Sequence, residues 1–286
     1  MNGNTEAWSP MIVALLEPRT TKPRKTGVTA IIDKGLGPRA LDDLLETSGH
    51  LIDHAKLGFG TTAALSESTI RRKVARYVEA EVTVYPGGTL LEAAWAGGHA
   101  RDFIRRAREL GFTGIEVSDG TLDVPAADRR DAIECALDLG LSVVTEVGHK
   151  DPEHQPGPTE LVDRIHGDLD LGAALVTIEA RESGRGTGIY DQWGRVVESL
   201  FHRLLASIRE PARILWEAPQ HEQQVHLILT CGSNVNLANI PVTEVLALES
   251  LRRGLRYETL RAAMVRRGPA GAGAAPGSTR PRSREA

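Results

Sequence analysis

Cysteine, lysine and aromatic residues are all scarce in this 286-residue chain. The two cysteines, Cys135 and Cys231, form no metal-ligand spacing and no disulfide framework. They read as small core residues in a reducing compartment. Aromatic residues make up 4%, which argues against a base-stacking surface, and a net charge of −4 gives no overall basic field for nucleic acid. Long hydrophobic runs are missing too. Met11–Leu16 is too short to span a membrane and carries no basic flank or cleavage pattern. The expectation is a cytoplasmic protein with neither nucleic-acid nor membrane partners.

Lysine is the most informative scarcity. Lys22, Lys25, Lys34, Lys56, Lys73 and Lys150 are the complete set, and the remaining cations are arginine. Arginine keeps its proton, whereas a desolvated lysine can release one. Lys34, Lys56 and Lys150 each follow or end an apolar run.

What is present is a repeated pattern of apolar strand, charged or Gly-rich turn, and helix. Strands are expected at Val28–Ile32, His50–Lys56, Glu81–Tyr85, Gly114–Val117, Ser142–Val147, from Ala174 onward, at Ala212–Trp216 and at Val235–Ile240. Helices are expected at Pro38–Thr47, Ser66–Glu79, Ala100–Leu110, Ala126–Leu139, and near Thr159–Leu171, Val196–Ser207 and Thr243–Leu251. Eight alternations at this length point to a single (β/α)₈ TIM-type barrel over residues 22–267, with a doubly wound open sheet as runner-up. Residues 1–21 read as a loosely ordered lead-in, and the Gly/Ala/Pro/Arg-rich residues 268–286 as a disordered tail.

In a barrel the strand C-termini meet on one face. Asp33, Lys34, Lys56, Glu116, Glu146, Lys150, Glu179, Arg181 and Glu217 would then crowd one mouth. Several acids arriving from separate strands cannot all stay ionised without partners. A hard divalent cation, Mg²⁺ or Mn²⁺, would relieve their repulsion through oxygen ligands. A structural charge network closing the barrel end is the alternative. Gly58, Gly60, Thr61 and Thr62 offer backbone and hydroxyl donors to a phosphate, and Lys22-Pro-Arg-Lys25 is a further cationic patch.

An ordered set of motifs now stands along the chain: Lys22-Pro-Arg24, Asp33-Lys-Gly-Leu36, Lys56-x-Gly-x-Gly-Thr61, Pro86-Gly-Gly-Thr89, Glu116-x-Ser-Asp-Gly120, Glu146-Val-Gly148, Glu179-Ala-Arg-Glu-Ser-Gly184, Glu217-Ala-Pro-Gln220 and Val235-Asn-Leu-Ala-Asn-Ile240. From about residue 22 to 260 the chain resembles phosphosulfolactate synthases. That resemblance implies a (β/α)₈ barrel, Mg²⁺ dependence, assembly as a homo-oligomer such as a trimer, and addition of sulfite to phosphoenolpyruvate to give (2R)-2-O-phospho-3-sulfolactate. Within that frame, Lys150 is the expected general acid, its pKa lowered by burial and a nearby cation. His149 stands where the family carries the first lysine of a Lys-Lys pair, so the proton relay is expected either to be altered or to be shared by His149. Lys34 joins them as a candidate catalytic and anion-contacting group. Arg24, Lys56, Thr61, Arg181 and Ser183 are expected at the substrate. Glu116, Glu146 and Glu179 are the expected metal ligands, with Asp33 and Glu217 as second choices. Tyr257-Glu258 departs from the family pattern after the last strand. Two other readings stand beside this one: a relative adding another nucleophile to an enolpyruvyl substrate, and a barrel with a stress-protective role and little catalysis.

Overall fold

The computed structural model describes residues 8, 11–12 and 15–267. The expected lead-in is therefore described in part, and the expected tail lies outside the described residues. Eight apolar stretches form strands: β1 (Thr29–Asp33), β2 (His54–Leu57), β3 (Thr83–Pro86), β4 (Gly114–Val117), β5 (Ser142–Val147), β6 (Leu175–Ile178), β7 (Ile214–Glu217) and β8 (Leu237–Pro241). The helices are α1 (Pro38–Ser48), α2 (Thr61–Ala64), α3 (Glu67–Glu79), α4 (Gly88–Ala96), α5 (Ala100–Leu110), α6 (Ala126–Asp138), α7 (Pro158–Asp170), α8 (Glu198–Ser207), α9 (His221–Cys231), α10 (Val245–Arg252) and α11 (Tyr257–Arg267). No described helix is long and apolar enough to cross a membrane.

The strands run in the order β3-β2-β1-β8-β7-β6-β5-β4, and every pairing is parallel. At the remaining seam, Thr113 N–H donates to the Val84 carbonyl (3.2 Å) and Val84 N–H to Thr113 Oγ1 (3.0 Å). The result is a nearly closed (β/α)₈ barrel. Parallel pairing requires a crossover between successive strands, and the amphipathic helices supply it while burying the outer face of the sheet.

Strand alternation divides the core into two shells. Val28, Ala30, Tyr85, Val144, Leu175, Leu215 and Ala238 fill the barrel interior. Ile31, Ala55, Leu57, Ile115, Val117, Ile178 and Trp216 belong to the larger shell that packs on the helices. Burying each large apolar side chain contributes roughly 1.5–3 kcal/mol. At the N-terminal base, the fully buried Arg252 donates to the carbonyls of Ser233, Val235 and Val28. Arg19 ties the incoming chain to Glu249 (3.0 Å) and Asn234 (2.7 Å).

Helix α4 is among those with no counterpart in the expected pattern. Pro86-Gly-Gly reads as a turn, yet α4 begins at Gly88. A Cβ on Gly88 would run into the Ser118 side chain, so glycine is what lets this helix start close against the end of β4.

Candidate active site

Residues that continue the inward parity at the C-terminal ends of the strands are charged. On β2, Ala55 and Leu57 face the helices, so Lys56 faces the lumen. By the same alternation Glu116, Glu146 and Glu217 point inward from β4, β5 and β7, and Glu179 follows the inward Thr177 just beyond β6. These side chains line a cavity of about 400 Å³, together with Lys150, Arg181, Asn239, Ile32 and the turns Gly58–Gly60 and Gly87–Thr89.

Two ammonium groups organise the carboxylates. Lys56 Nζ hydrogen-bonds Glu217 Oε1 (3.1 Å) and Glu146 Oε2 (3.2 Å). It also lies 3.0 Å from Glu116 Oε1 as an ion pair outside hydrogen-bond alignment. Burial alone would lower this ammonium, but Glu116, Glu146 and Glu217 together hold it well above its ordinary value. Lys150 Nζ lies 2.7 Å from Glu146 Oε1 and 2.7 Å from Glu179 Oε2. Desolvation pulls Lys150 down, and these two carboxylates outweigh it, so its pKa is raised. The expectation of a lowered pKa at Lys150 is corrected here: two adjacent negative charges stabilise the ammonium more than its half-burial penalises it.

The acids respond to one another. Burial, against the pull of Lys56 and with repulsion from Glu146, pushes the Glu116 carboxyl up to about 7. Burial followed by the charges of Glu146 and Glu217 raises Glu179 well above the carboxylate range. Burial also raises Glu217, although Ala180 N–H donates to its Oε2 (2.7 Å). Glu146 goes the other way, well below the ordinary value: burial opposes this, but Lys150 and Lys56 prevail. The cluster therefore holds more acid than its two lysines neutralise.

An all-oxygen donor set with surplus negative charge suits a hard divalent cation. Among the described residues, however, no three His, Cys, Asp or Glu side chains are grouped to hold a metal ion. The lysine ammonium groups lie between the carboxylates. The donor chemistry fits Mg²⁺, and coordination by three glutamates requires a lysine to give way.

The remaining expected residues divide by place. Arg181 lines the cavity; its N–H donates to Glu179 Oε1 (2.5 Å), and its guanidinium reaches the Lys150 carbonyl at 3.4 Å. Lys34 is exposed at the rim, with Nζ 4.7 Å from the centre of the Phe59 ring. Thr61 Oγ1 donates to the Gly58 carbonyl (2.8 Å) and closes the turn before α2. Ser183 is exposed, and its carbonyl accepts from Gln220 Nε2 (2.6 Å). His149 borders a neighbouring hollow with His154 and Glu160; its Nδ1 accepts from Asp151 N–H (3.1 Å). Glu258 pairs with His221 (3.2 Å), and Tyr257 is exposed.

Two assignments are corrected. Asp33 faces the helix layer, not the lumen. It is fully buried against Lys73 (2.7 Å), accepts from Tyr77 OH (2.9 Å), and caps the turn through Gly35 and Leu36 N–H (2.8 Å each). Its neighbour Ile32 takes the lumenal position. Arg24 sits at the opposite end of the barrel, on Asp53 (3.0 Å) and the His50 carbonyl (3.2 Å), just before β2 begins.

Some features of the cavity wall carry no sequence expectation. Among the described residues, four non-glycines have left-handed φ: Phe59 (+58°), Glu81 (+56°), Arg181 (+60°) and Asn239 (+55°). Three of them line this cavity. Unfavourable backbone of this kind collects where a side chain must be aimed. For Asn239 the sequence carried a trace: an amide inside the apolar run Leu237-Ala-Asn-Ile240.

A family model described as (2R)-phospho-3-sulfolactate synthase (ComA) matches residues 17–258. A phosphosulfolactate synthase of Methanothermobacter thermautotrophicus is 44% identical over 248 residues, covering 86% of this chain and 96% of that protein. One of Bacillus subtilis is 36% identical over 243 residues, covering 84% and 95%. A solved 3-hexulose-6-phosphate synthase aligns with a TM-score of 0.51 at 17% identity, covering 83% of this chain and 99% of that one, a likeness of fold.

Proposed function

The chain belongs to the phosphosulfolactate synthase family, a family of enzymes, and from that premise we propose that it catalyses the Mg²⁺-dependent addition of sulfite to phosphoenolpyruvate, giving (2R)-2-O-phospho-3-sulfolactate. The observation that carries this reading is Lys150 held between Glu146 and Glu179 at the wall of a cavity that Lys56 and Arg181 also line. Both substrates are anions, so their binding calls for cations. Among the described residues Arg181 has no ion pair, and its charge is available to a ligand.

In the reaction the sulfur lone pair of sulfite forms a bond to the methylene carbon. The π electrons of the double bond move to the central carbon and onto the carboxylate. Lys150 Nζ then gives a proton to the central carbon, making the new C–H bond. Its raised pKa keeps it protonated at neutral pH, and the buried wall fixes the face from which the proton arrives. The Glu146 and Glu179 carboxyl groups, each 2.7 Å from Nζ, lie within reach to return a proton to Lys150. Lys56 and Arg181 offset the charge that develops on the substrate. Mg²⁺ held by Glu116, Glu146 and Glu179, with Glu217 as a further donor, would supply Lewis-acid stabilisation at the substrate carboxylate. Homo-oligomeric assembly belongs to the same reading. Incubation with phosphoenolpyruvate, sulfite and Mg²⁺, followed by ³¹P NMR, should reveal a new phosphate ester. Its absence with folded protein rejects this function.

A further inference from the structure

Asn239 sits where the β1–β8 pairing slips. Thr29 pairs with Leu237 and Ile31 with Ile240, so β8 places one more residue than β1 between those pairs. Such a bulge re-aims side chains. Leu237 and Ile240 both pack in the helix-facing shell, while Ala238 belongs to the barrel interior and Asn239 lines the cavity. Its backbone adopts φ +55°, a conformation that asparagine tolerates better than most residues.

The amide is 5% exposed, and Oδ1 has no hydrogen-bond partner. Nor does its Nδ2 bond any described residue. A buried amide with unspent hydrogen bonds is costly, and native structures satisfy such groups with protein, water or ligand. Asn239 is a neutral donor on the wall that also carries Ile32 and Gly58–Gly60, whereas Lys150, Glu179 and Arg181 come from β5 and β6.

We propose that Asn239 is a substrate-binding residue, its amide contacting an oxyanion of the enolpyruvyl phosphate substrate, and that the β8 bulge exists to aim it. This rests on the function proposed above. The bland alternative is that asparagine is present merely because it accepts left-handed backbone. Glycine separates the two, since it accepts that backbone more easily but has no amide. Asn239→Asp keeps the shape and adds a negative charge.

The experiment is calorimetric titration of phosphoenolpyruvate into wild-type, N239G and N239D protein with Mg²⁺ present, alongside thermal melts and the KM for each substrate. The expected result is melting of N239G at or above the wild-type temperature, with affinity for phosphoenolpyruvate lower by about tenfold, the scale of one hydrogen bond to a charged group. N239D should bind more weakly still, and the KM for sulfite should move little. Wild-type affinity in a folded N239G or N239D overturns the assignment. A rise confined to the KM for sulfite overturns it as well. Failure of the wild-type protein to bind phosphoenolpyruvate rejects the function reading, and this inference with it.

Discussion

Lys150 turns back on Glu146, four residues earlier, so that Nζ meets Oε1 at 2.7 Å. Gly148 (φ +114°) makes the fold-back possible, because a Cβ there would press on Glu179 at 3.1 Å. The end of β5 thus brings an acid and a lysine to one point, and β6 adds Glu179. The chemistry proposed for the site depends on that point.

Replacing Lys150 by alanine is expected to reduce turnover by at least about 10²-fold while leaving the barrel folded, since a positioned acid contributes on that scale. Circular dichroism and ³¹P NMR of the same sample check both halves. Near-normal turnover removes Lys150 from its role.

Gly120 is tied to the same group. A Cβ added there would lie 2.9 Å from Lys150 Nζ and 3.2 Å from the Gly148 carbonyl. Gly120→Ala should therefore displace the ammonium and cut kcat by about tenfold or more, as misplacement of a reacting group does. Melting temperature should change little, and unchanged kcat in G120A would contradict the geometry.

Asp33 supports the fold. Its removal leaves Lys73, itself 2% exposed, as an unpaired buried charge. Asp33→Ala is expected to lose about 3–5 kcal/mol in urea denaturation. Protein that remains folded should keep its Mg²⁺ affinity. Loss of Mg²⁺ affinity at unchanged stability would return Asp33 to the ligand set.

Glu116 couples stability to pH. Its carboxyl is near 4.5 in an unexceptional setting and about 7 in the fold. Between those values the folded state binds a proton that the unfolded state releases, so this group's contribution to stability falls as pH rises through the window. Denaturation of wild-type and Glu116→Gln protein at pH 4.5 and pH 7.5 should show the wild type losing on the order of 3 kcal/mol relative to the variant. A constant difference between them would refute the shift.

Mg²⁺ should raise the melting temperature by mass action on the folded state. Glu116→Gln with Glu179→Gln should abolish that rise without unfolding the protein. Chelation should also stop product formation. A melting curve indifferent to Mg²⁺ would leave the lysines as the resident cations of the cluster.

The sequence by itself determined the barrel, because eight apolar runs, each followed by a charged turn and a helix, have few other ways to bury themselves. It also marked Lys56, Glu116, Glu146, Lys150, Glu179, Arg181 and Glu217 as neighbours, since parallel strands all end on one side. The direction each side chain faces was decided only in three dimensions. Strands covered on both faces are apolar at every position, so the run ending in Ile32 and Asp33 carries no alternation to say which of the two enters the lumen. Barrel closure made that choice, turning Asp33 toward Lys73. The slip between β1 and β8 brought Asn239 inward, and the balance of two carboxylates around one ammonium set the charge of Lys150. Each depends on residues far apart in the chain, which no local pattern encodes.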